Sequence, residues 1–251
     1  MSTMRLDRLL ANMGYGSRRD IAVMVRQGRV KLEGKRVFKA DEAIKLADAQ
    51  SGALQVNDVA VDPPSPLTVM LHKPAGYTCS HDETGALIYD LLPERWKLRK
   101  PVLSAAGRLD KDSTGQVILT DDGDLLHRII HPKSHASKHY EVTLTETLRG
   151  DEAALFAAGD FMMEGDAKPL KPALWQPSGE KSGLMILQEG RYHQIRRMFK
   201  TLGNRVATLH RIQTGQLMLG DLPEGQYRLL SRDDVAKIAE KAADNADQTP
   251  L

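Results

Sequence analysis

The chain of 251 residues has a single cysteine, Cys79, so it can form neither an intrachain disulfide nor a multi-cysteine zinc site. It has no run approaching about 18 uninterrupted apolar residues, which excludes a membrane-spanning helix. The opening residues, MSTMRLDRLL, lack the apolar core of a secretory leader. Neither a Walker A loop nor a glycine-rich dinucleotide loop occurs, which argues against nucleotide-dependent chemistry. These absences make a cytoplasmic location the expectation. What is present is ordinary for a globular protein: 41% apolar and 27% charged residues exclude a chain disordered throughout and a coiled-coil rod. The length admits one large domain, or a small one with a medium one.

The net charge of +2 conceals an uneven distribution, because residues 1–40 alone carry +7. A basic head on a mildly acidic body suggests a polyanionic partner, nucleic acid first among them, against the alternative of a solvated basic face that binds nothing. Leu6, Leu9, Leu10 and Met13 recur at helical spacing, and Gly14 and Gly16 end that helix. Ser17 opens a second helix with Asp20 as its capping-box partner, and Gly28 closes it. A short strand follows at Val30–Leu32, turning at Glu33-Gly34. Arg18, Arg19, Arg29 and Lys31 leave the apolar face free, as side chains that contact phosphates must.

Residues 40–61 read as short strands, including 54–56 and 59–61, that complete the head. Pro63-Pro64-Ser65-Pro66 can sustain neither helix nor ladder, so 62–66 is expected to be a semi-rigid linker between a head of residues 1–61 and a body of 67–235. The body offers strands at 68–72, 116–120, 139–144, 184–188 and 205–209, and helices at 124–130, 151–158 and 193–202. They do not alternate strictly, which points to an α+β fold with a mixed, mainly antiparallel sheet. A last helix, 233–243, is capped by Ser231, and the end of the 236–251 segment is expected to fray.

Three stretches could carry chemistry. Gly107-Arg108-Leu109-Asp110 through Gly115 is a loop feeding an apolar strand, although an aspartate in a loop is more often a turn or cap residue. Residues 189–211 carry +5, and Arg196 and Arg197 would lie in the first turn of their helix. Cations there oppose the helix dipole, a cost that a bound anion would offset. Tyr140 opens a strand, where an aromatic is usually core but can stack on a base if it faces a cleft. His127, His131, His135 and His139 recur every four residues, but Pro132 breaks the helix and no metal site is expected.

In combination these segments resemble the RsuA-like branch of the pseudouridine synthases. The N-terminal part, from Arg5 through Ser17-Arg-Arg to Val37, resembles an S4 RNA-binding domain. His72-Lys-Pro-Ala-Gly-Tyr77, Gly107-Arg-Leu-Asp110 with Thr114-Gly115 and Asp121-Asp-Gly123, Lys138-His-Tyr140 and Gly190-Arg-Tyr-His-Gln-Ile-Arg196 resemble the motifs of its catalytic domain. The resemblance spans about residues 4–235. It implies the pseudouridine synthase fold and the conversion of a uridine in RNA to pseudouridine without a cofactor. Asp110 would be the residue acting at the sugar or the base. Tyr140 would stack on the target base, and Arg196 would pair with Asp110. Arg108 would help hold the target nucleotide extrahelical, with Lys73 and Arg191 as further substrate-binding candidates. Gln116 departs from the family, which usually has an aliphatic residue there. The tracts 77–80, 189–194 and 225–228 look most like the member acting on small-subunit (16S) ribosomal RNA. The expected partner is therefore 16S RNA, free or within a small-subunit assembly particle, and the expected state is a monomer. A large-subunit (23S) enzyme of the same family and a non-catalytic S4-type RNA-binding or ribosome-assembly protein remain the alternatives.

Overall fold

The computed structural model describes residues 2–131 and 136–239. It divides into two compact units. One runs to Thr68 and also includes Tyr89–Ser104 and Leu119–Gly123; the other comprises Val69–Ile88, Ala105–Ile118 and the residues from Asp124 on.

The head follows from its apolar spacing. In chain order it contains β1 (Thr3–Arg5), α1 (Leu6–Asn12), α2 (Arg18–Arg26), β2 (Val30–Leu32), β3 (Lys35–Arg36), β4 (Ala43–Lys45), α3 (Leu46–Gln50), β5 (Leu54–Val56) and β6 (Val59–Ala60). Leu6, Leu9, Leu10 and Met13 bury one side of α1 against Ile21 and Val25 of α2 and Val30, Leu54 and Val56 of the strands. Both halves of the Ser17–Asp20 capping box are formed. The strands pair as β3-β2-β5-β6, with β1 and β4 as a separate ribbon. β4 and α3 were not expected within residues 40–61; α3 is a single short turn with only Ala49 buried, too little periodicity to read.

The remaining elements are β7 (Thr68–Lys73), β8 (Ser104–Ala105), β9 (Thr114–Thr120), α4 (Gly123–Ile130), β10 (Lys138–Leu144), α5 (Glu152–Ala157), β11 (Leu174–Gly179), β12 (Ser182–Leu187), α6 (Gln194–Thr201), β13 (Val206–Thr214), β14 (Leu217–Met218), β15 (Tyr227–Leu229) and α7 (Arg232–Ala239). Nine strands form one sheet in the order β11-β12-β10-β13-β9-β7-β15, with β14 on β13 and β8 on β9. β9 and β13 run parallel, whereas β10, β11, β12, β14 and β15 pair antiparallel with their neighbours. The sheet is therefore mixed. β11, not expected from the sequence, shows no alternation because it is an edge strand: only Trp175 is buried, and Pro177 is tolerated there.

α4 ends at Ile130, so His127 and His131 lie near its C-terminus with ring centroids 4.8 Å apart, while His139 sits on β10. His135, the expected end of the last helix at Ala243 and the tail beyond it lie outside the described residues. Among the described residues no cluster of three or more His, Cys, Asp or Glu could hold a metal ion, and no helix is long and apolar enough to cross a membrane.

Asp121, within one of the sequence motifs, serves the fold. Its carboxylate accepts from the Leu67 amide at 2.7 Å, from Ser65 Oγ at 3.0 Å and from the Arg99 guanidinium at 3.0 Å. Both charged side chains are only 1% exposed. Arg99 also donates to the Pro63 carbonyl, so the proline-rich segment is tied down at both ends. Removing one member of such a pair strands the other charge in the interior. Asp121→Met is therefore expected to lower the unfolding free energy by about 3–5 kcal/mol in chemical denaturation, and adding Arg99→Met should recover part of that loss.

Candidate active site

The second unit holds a cleft of about 620 Å³ lined by the loop before β9, the start of β10 and the turn before α6. Its depth depends on a close approach of two backbones. β9 pairs in parallel with β13 at Gly115 and Arg211, and a Cβ on Gly115 would lie 2.3 Å from the Arg211 carbonyl oxygen. Only glycine, here at φ +107, allows β9 to begin at this point.

Upstream of Gly115, the 110–113 loop is braced from below. The Ser113 amide donates to the Asp110 carbonyl, and the Gly76 amide to that of Lys111. Lys73 is fully buried, and its ammonium donates to the carbonyls of Pro74, Lys111 and Ser113 at 3.0, 3.0 and 2.6 Å. Those bonds use all three of its donors. Burial pushes its pKa below the usual lysine value. Lys73, the weaker of the substrate-binding candidates and one whose motif also fitted a structural place near the site, here supports the loop.

The opposing wall is α6. Ile195, Met198 and Phe199 bury its inner face, with Phe199 edge-on to Trp175 at 5.1 Å and to Phe156 at 5.4 Å. Burial of an aromatic of this size contributes about 2–3 kcal/mol, enough to hold the helix in register. The outer face then presents Arg196 to the loop. Its Nε donates to Asp110 Oδ2 at 3.3 Å, and its other nitrogens reach Ser113 Oγ and the Val206 carbonyl at 3.3 Å each. The anion that offsets a cation at this helix start is therefore supplied by the protein. Asp110 retains 30% side-chain exposure, so its carboxylate is open to the cleft.

A third group meets the same carboxylate. His193 Nε2 lies 3.3 Å from Asp110 Oδ1, and the residue caps α6 in the left-handed region at φ 48. Such a backbone costs about 1–3 kcal/mol in a residue with a side chain and persists only when its surroundings impose it. Here Gln194 does so, accepting from the Arg191 amide at 2.9 Å and donating to Glu189 at 3.1 Å. His193 lies within a sequence motif but was not expected on the carboxylate, because nothing in the linear order shows an imidazole turning back onto residue 110.

Tyr140 lines the cleft on β10, beside a register shift in the pairing of β10 with β13. Irregularities of this kind re-aim a side chain next to a site. Arg108, also at the cleft, is paired among the described residues with exposed Glu83 at 3.0 Å. Exposed pairs contribute about 0–1 kcal/mol, so this guanidinium is readily released. Arg191 is committed differently: it donates to Asp166 at 2.8 Å and to the carbonyls of Lys168 and Pro169. Arg197 meets the same aspartate.

Two further cations of the cleft had no role assigned from the sequence, although Lys138 stands within one of the motifs. Arg211 is buried, donating to the Gln116 carbonyl at 2.6 Å and the Gly107 carbonyl at 3.3 Å. Lys138 lies at the start of β10; burial, with Arg211 and Lys171 nearby, pushes its pKa down to about 8. An arginine in a strand of mixed polarity was the available signal for the first. Gln116 is accommodated by donating to the Leu217 carbonyl at 2.8 Å, which ties β9 to β14.

The four phosphate-contact candidates of the head fall into two groups at opposite ends of α2. Arg18 and Arg19 start that helix, with Arg18 paired to Asp7 at 2.8 Å. Arg29 and Lys31 lie beyond its end, bonded to Asn57 and Asp58 respectively.

Comparison with known proteins agrees with this architecture. Residues 68–201 match the RNA pseudouridylate synthase family, and residues 4–49 match the S4 domain. The chain is 38% identical over 239 residues to the ribosomal small subunit pseudouridine synthase A of Escherichia coli, covering 94% of this chain and all of that one. It is 34% identical over 245 residues to an uncharacterized RNA pseudouridine synthase of Bacillus subtilis, covering 96% of this chain and all of the relative. A crystal structure of a pseudouridylate synthase superposes with a TM-score of 0.65 at 35% identity, covering 94% of this chain and 99% of that one. With its S4 head and its sheet-borne cleft, the chain belongs to the RNA pseudouridylate synthase family.

Proposed function

We propose that the protein converts a specific uridine of 16S ribosomal RNA to pseudouridine, with Asp110 as the catalytic residue. The observation that carries this reading is the Asp110 carboxylate held between Arg196 and His193, each at 3.3 Å, in a cleft that also contains Tyr140. The C1′–N1 bond of the nucleoside breaks, the uracil turns, a C1′–C5 bond forms, the C5 proton is released and N1 takes up a proton from solvent. The product is an isomer, so no redox equivalent or energy donor is consumed. A stacked base cannot present C1′ and C5 to one carboxylate, so the nucleotide has to leave the helix. Arg108, released from Glu83, takes part in that displacement. Tyr140 stacks on the uracil, and Arg196 holds the Asp110 carboxylate in place from the wall of the cleft. Arg191 contributes by shaping the turn before α6.

The choice of small-subunit RNA rests on the end-to-end match to relatives named for that substrate and on the tracts at 77–80, 189–194 and 225–228. In this reading residues 1–61 hold structured RNA through phosphates, 67–235 perform the isomerisation, and 62–66 join them in a cytoplasmic monomer. The substrate is naked RNA or an assembling small subunit. Arg18, Arg19, Arg29 and Lys31 are the phosphate contacts of the head.

Three outcomes follow. Asp110→Asn abolishes tritium release from uracil-C5-labelled 16S RNA and leaves RNA affinity within about three-fold, because the change removes a charge and little shape; full turnover by this variant would place the chemistry elsewhere. Arg19→Gln with Arg29→Gln weakens binding and reduces the slope of log affinity against log salt by about 1 for each phosphate that the protein no longer neutralises. Lys138, with its pKa held at about 8 in the free protein, gains a phosphate neighbour on binding. That neighbour favours the ammonium and raises its pKa. Affinity is therefore full below pH 8 and declines as pH rises through 8 toward the pKa of the complex, whereas Lys138→Met flattens this limb of a filter-binding titration.

A further inference from the structure

The turn before α6 carries a feature that the proposed roles leave unused. Tyr192 is 78% exposed, the most open of the large aromatic and aliphatic side chains among the described residues. Its ring stacks on His193 with centroids 3.9 Å apart and planes 16° from parallel. Both residues line the cleft. The stack continues inward to the carboxylate, because His193 Nε2 lies 3.3 Å from Asp110 Oδ1. Its outer end is a bare phenol face at the lip of the cleft. Exposing an aromatic ring of this size to water is unfavourable, and a held ring with one free face is preorganised for another flat ring.

We propose that the outer face of Tyr192 is a stacking subsite for the base of a nucleotide next to the target uridine. This rests on the reading of the cleft as an RNA-modifying site. The order Asp110, His193, Tyr192, base is a ladder of contacts. It sets the neighbouring base at a fixed offset from the carboxylate at which the flipped nucleoside arrives. One base turns inward to Tyr140 and Asp110 while its neighbour stays outside on Tyr192. A nucleobase is the occupant because the same cleft is lined by Arg108, Lys111 and Lys138, cations that suit a chain of phosphates. Stacking needs ring area rather than the hydroxyl. The subsite therefore accepts any base and favours purines, contributing position rather than sequence readout.

The test uses the full chain and a 16S RNA fragment that the wild type modifies, under steady-state conditions. Tyr192→Ala is expected to raise KM roughly ten-fold, while Tyr192→Phe and Tyr192→Trp stay close to wild type. RNA that is abasic at the 5′ or the 3′ neighbour of the target completes a double-mutant cycle. At one of these positions the abasic RNA loses about as much as Tyr192→Ala on intact RNA, and combining the two adds little. The proposal is overturned if Tyr192→Ala leaves KM unchanged, if Tyr192→Phe loses as much as Tyr192→Ala, or if the losses simply add at both neighbours. In each of those cases wild-type turnover still stands. Absence of wild-type turnover on every ribosomal RNA fragment would instead overturn the pseudouridine synthase reading, and this subsite with it.

Discussion

The contact between the Asp110 carboxylate and the Arg196 guanidinium, 86 residues apart in sequence and 3.3 Å apart in space, is the constraint around which the second unit is arranged. Each partner is held by its own structure before they meet. On the acid side Lys73 gathers three carbonyls beneath the 110–113 loop, and Gly115 lets β9 lie against the backbone of β13. On the guanidinium side, Ile195, Met198 and Phe199 fix the helix from which Arg196 projects. A carboxylate placed in this way is both paired with a cation and accessible from the cleft.

The cations of this unit differ in what satisfies them, and the difference separates scaffold from site. Lys73 and Arg211 are buried and bonded to backbone carbonyls, so they serve as internal braces. Arg191 and Arg197 share Asp166 and close the turn before α6. Arg108 is paired with an exposed carboxylate, and Lys138 has its pKa lowered by burial and by neighbouring cations. A positive charge whose neighbours disfavour it is poised for an incoming anion. In Asp121 the same logic works in the opposite direction: its carboxylate is fully enclosed and matched by Arg99, Ser65 and the Leu67 amide, which removes it from any chemistry.

Much of the architecture was legible from local patterns. The Ser17–Asp20 capping box, the helix from Leu6 and the strand of residues 116–120 are each specified by neighbours within a few positions, so they could be read without the fold. α4 ends where Pro132 requires, and α6 runs essentially between the expected limits. Elements whose stability comes from distant partners were not legible. β11 is held by pairing with β12 and by one buried tryptophan, and β4 and α3 carry too few apolar residues to show a period. Among site residues, the motif around Asp110 and the one ending at Arg196 were visible as strings, but the string containing Lys73 does not say whether its ammonium faces substrate or backbone.

The amino-acid order by itself therefore determined the family motifs and the basic character of the head, since these depend on residue type and short-range spacing; the pairing of Asp110 with Arg196 followed only from the family resemblance. Tertiary structure alone decided that His193 shares the carboxylate with Arg196, that Lys73 supports the loop from inside, and that Tyr192 stands open at the lip of the cleft. The physical reason is the same in each case. These are long-range placements imposed by the β9–β13 pairing and the packing of α6, and a side chain's role there follows from what the fold leaves beside it.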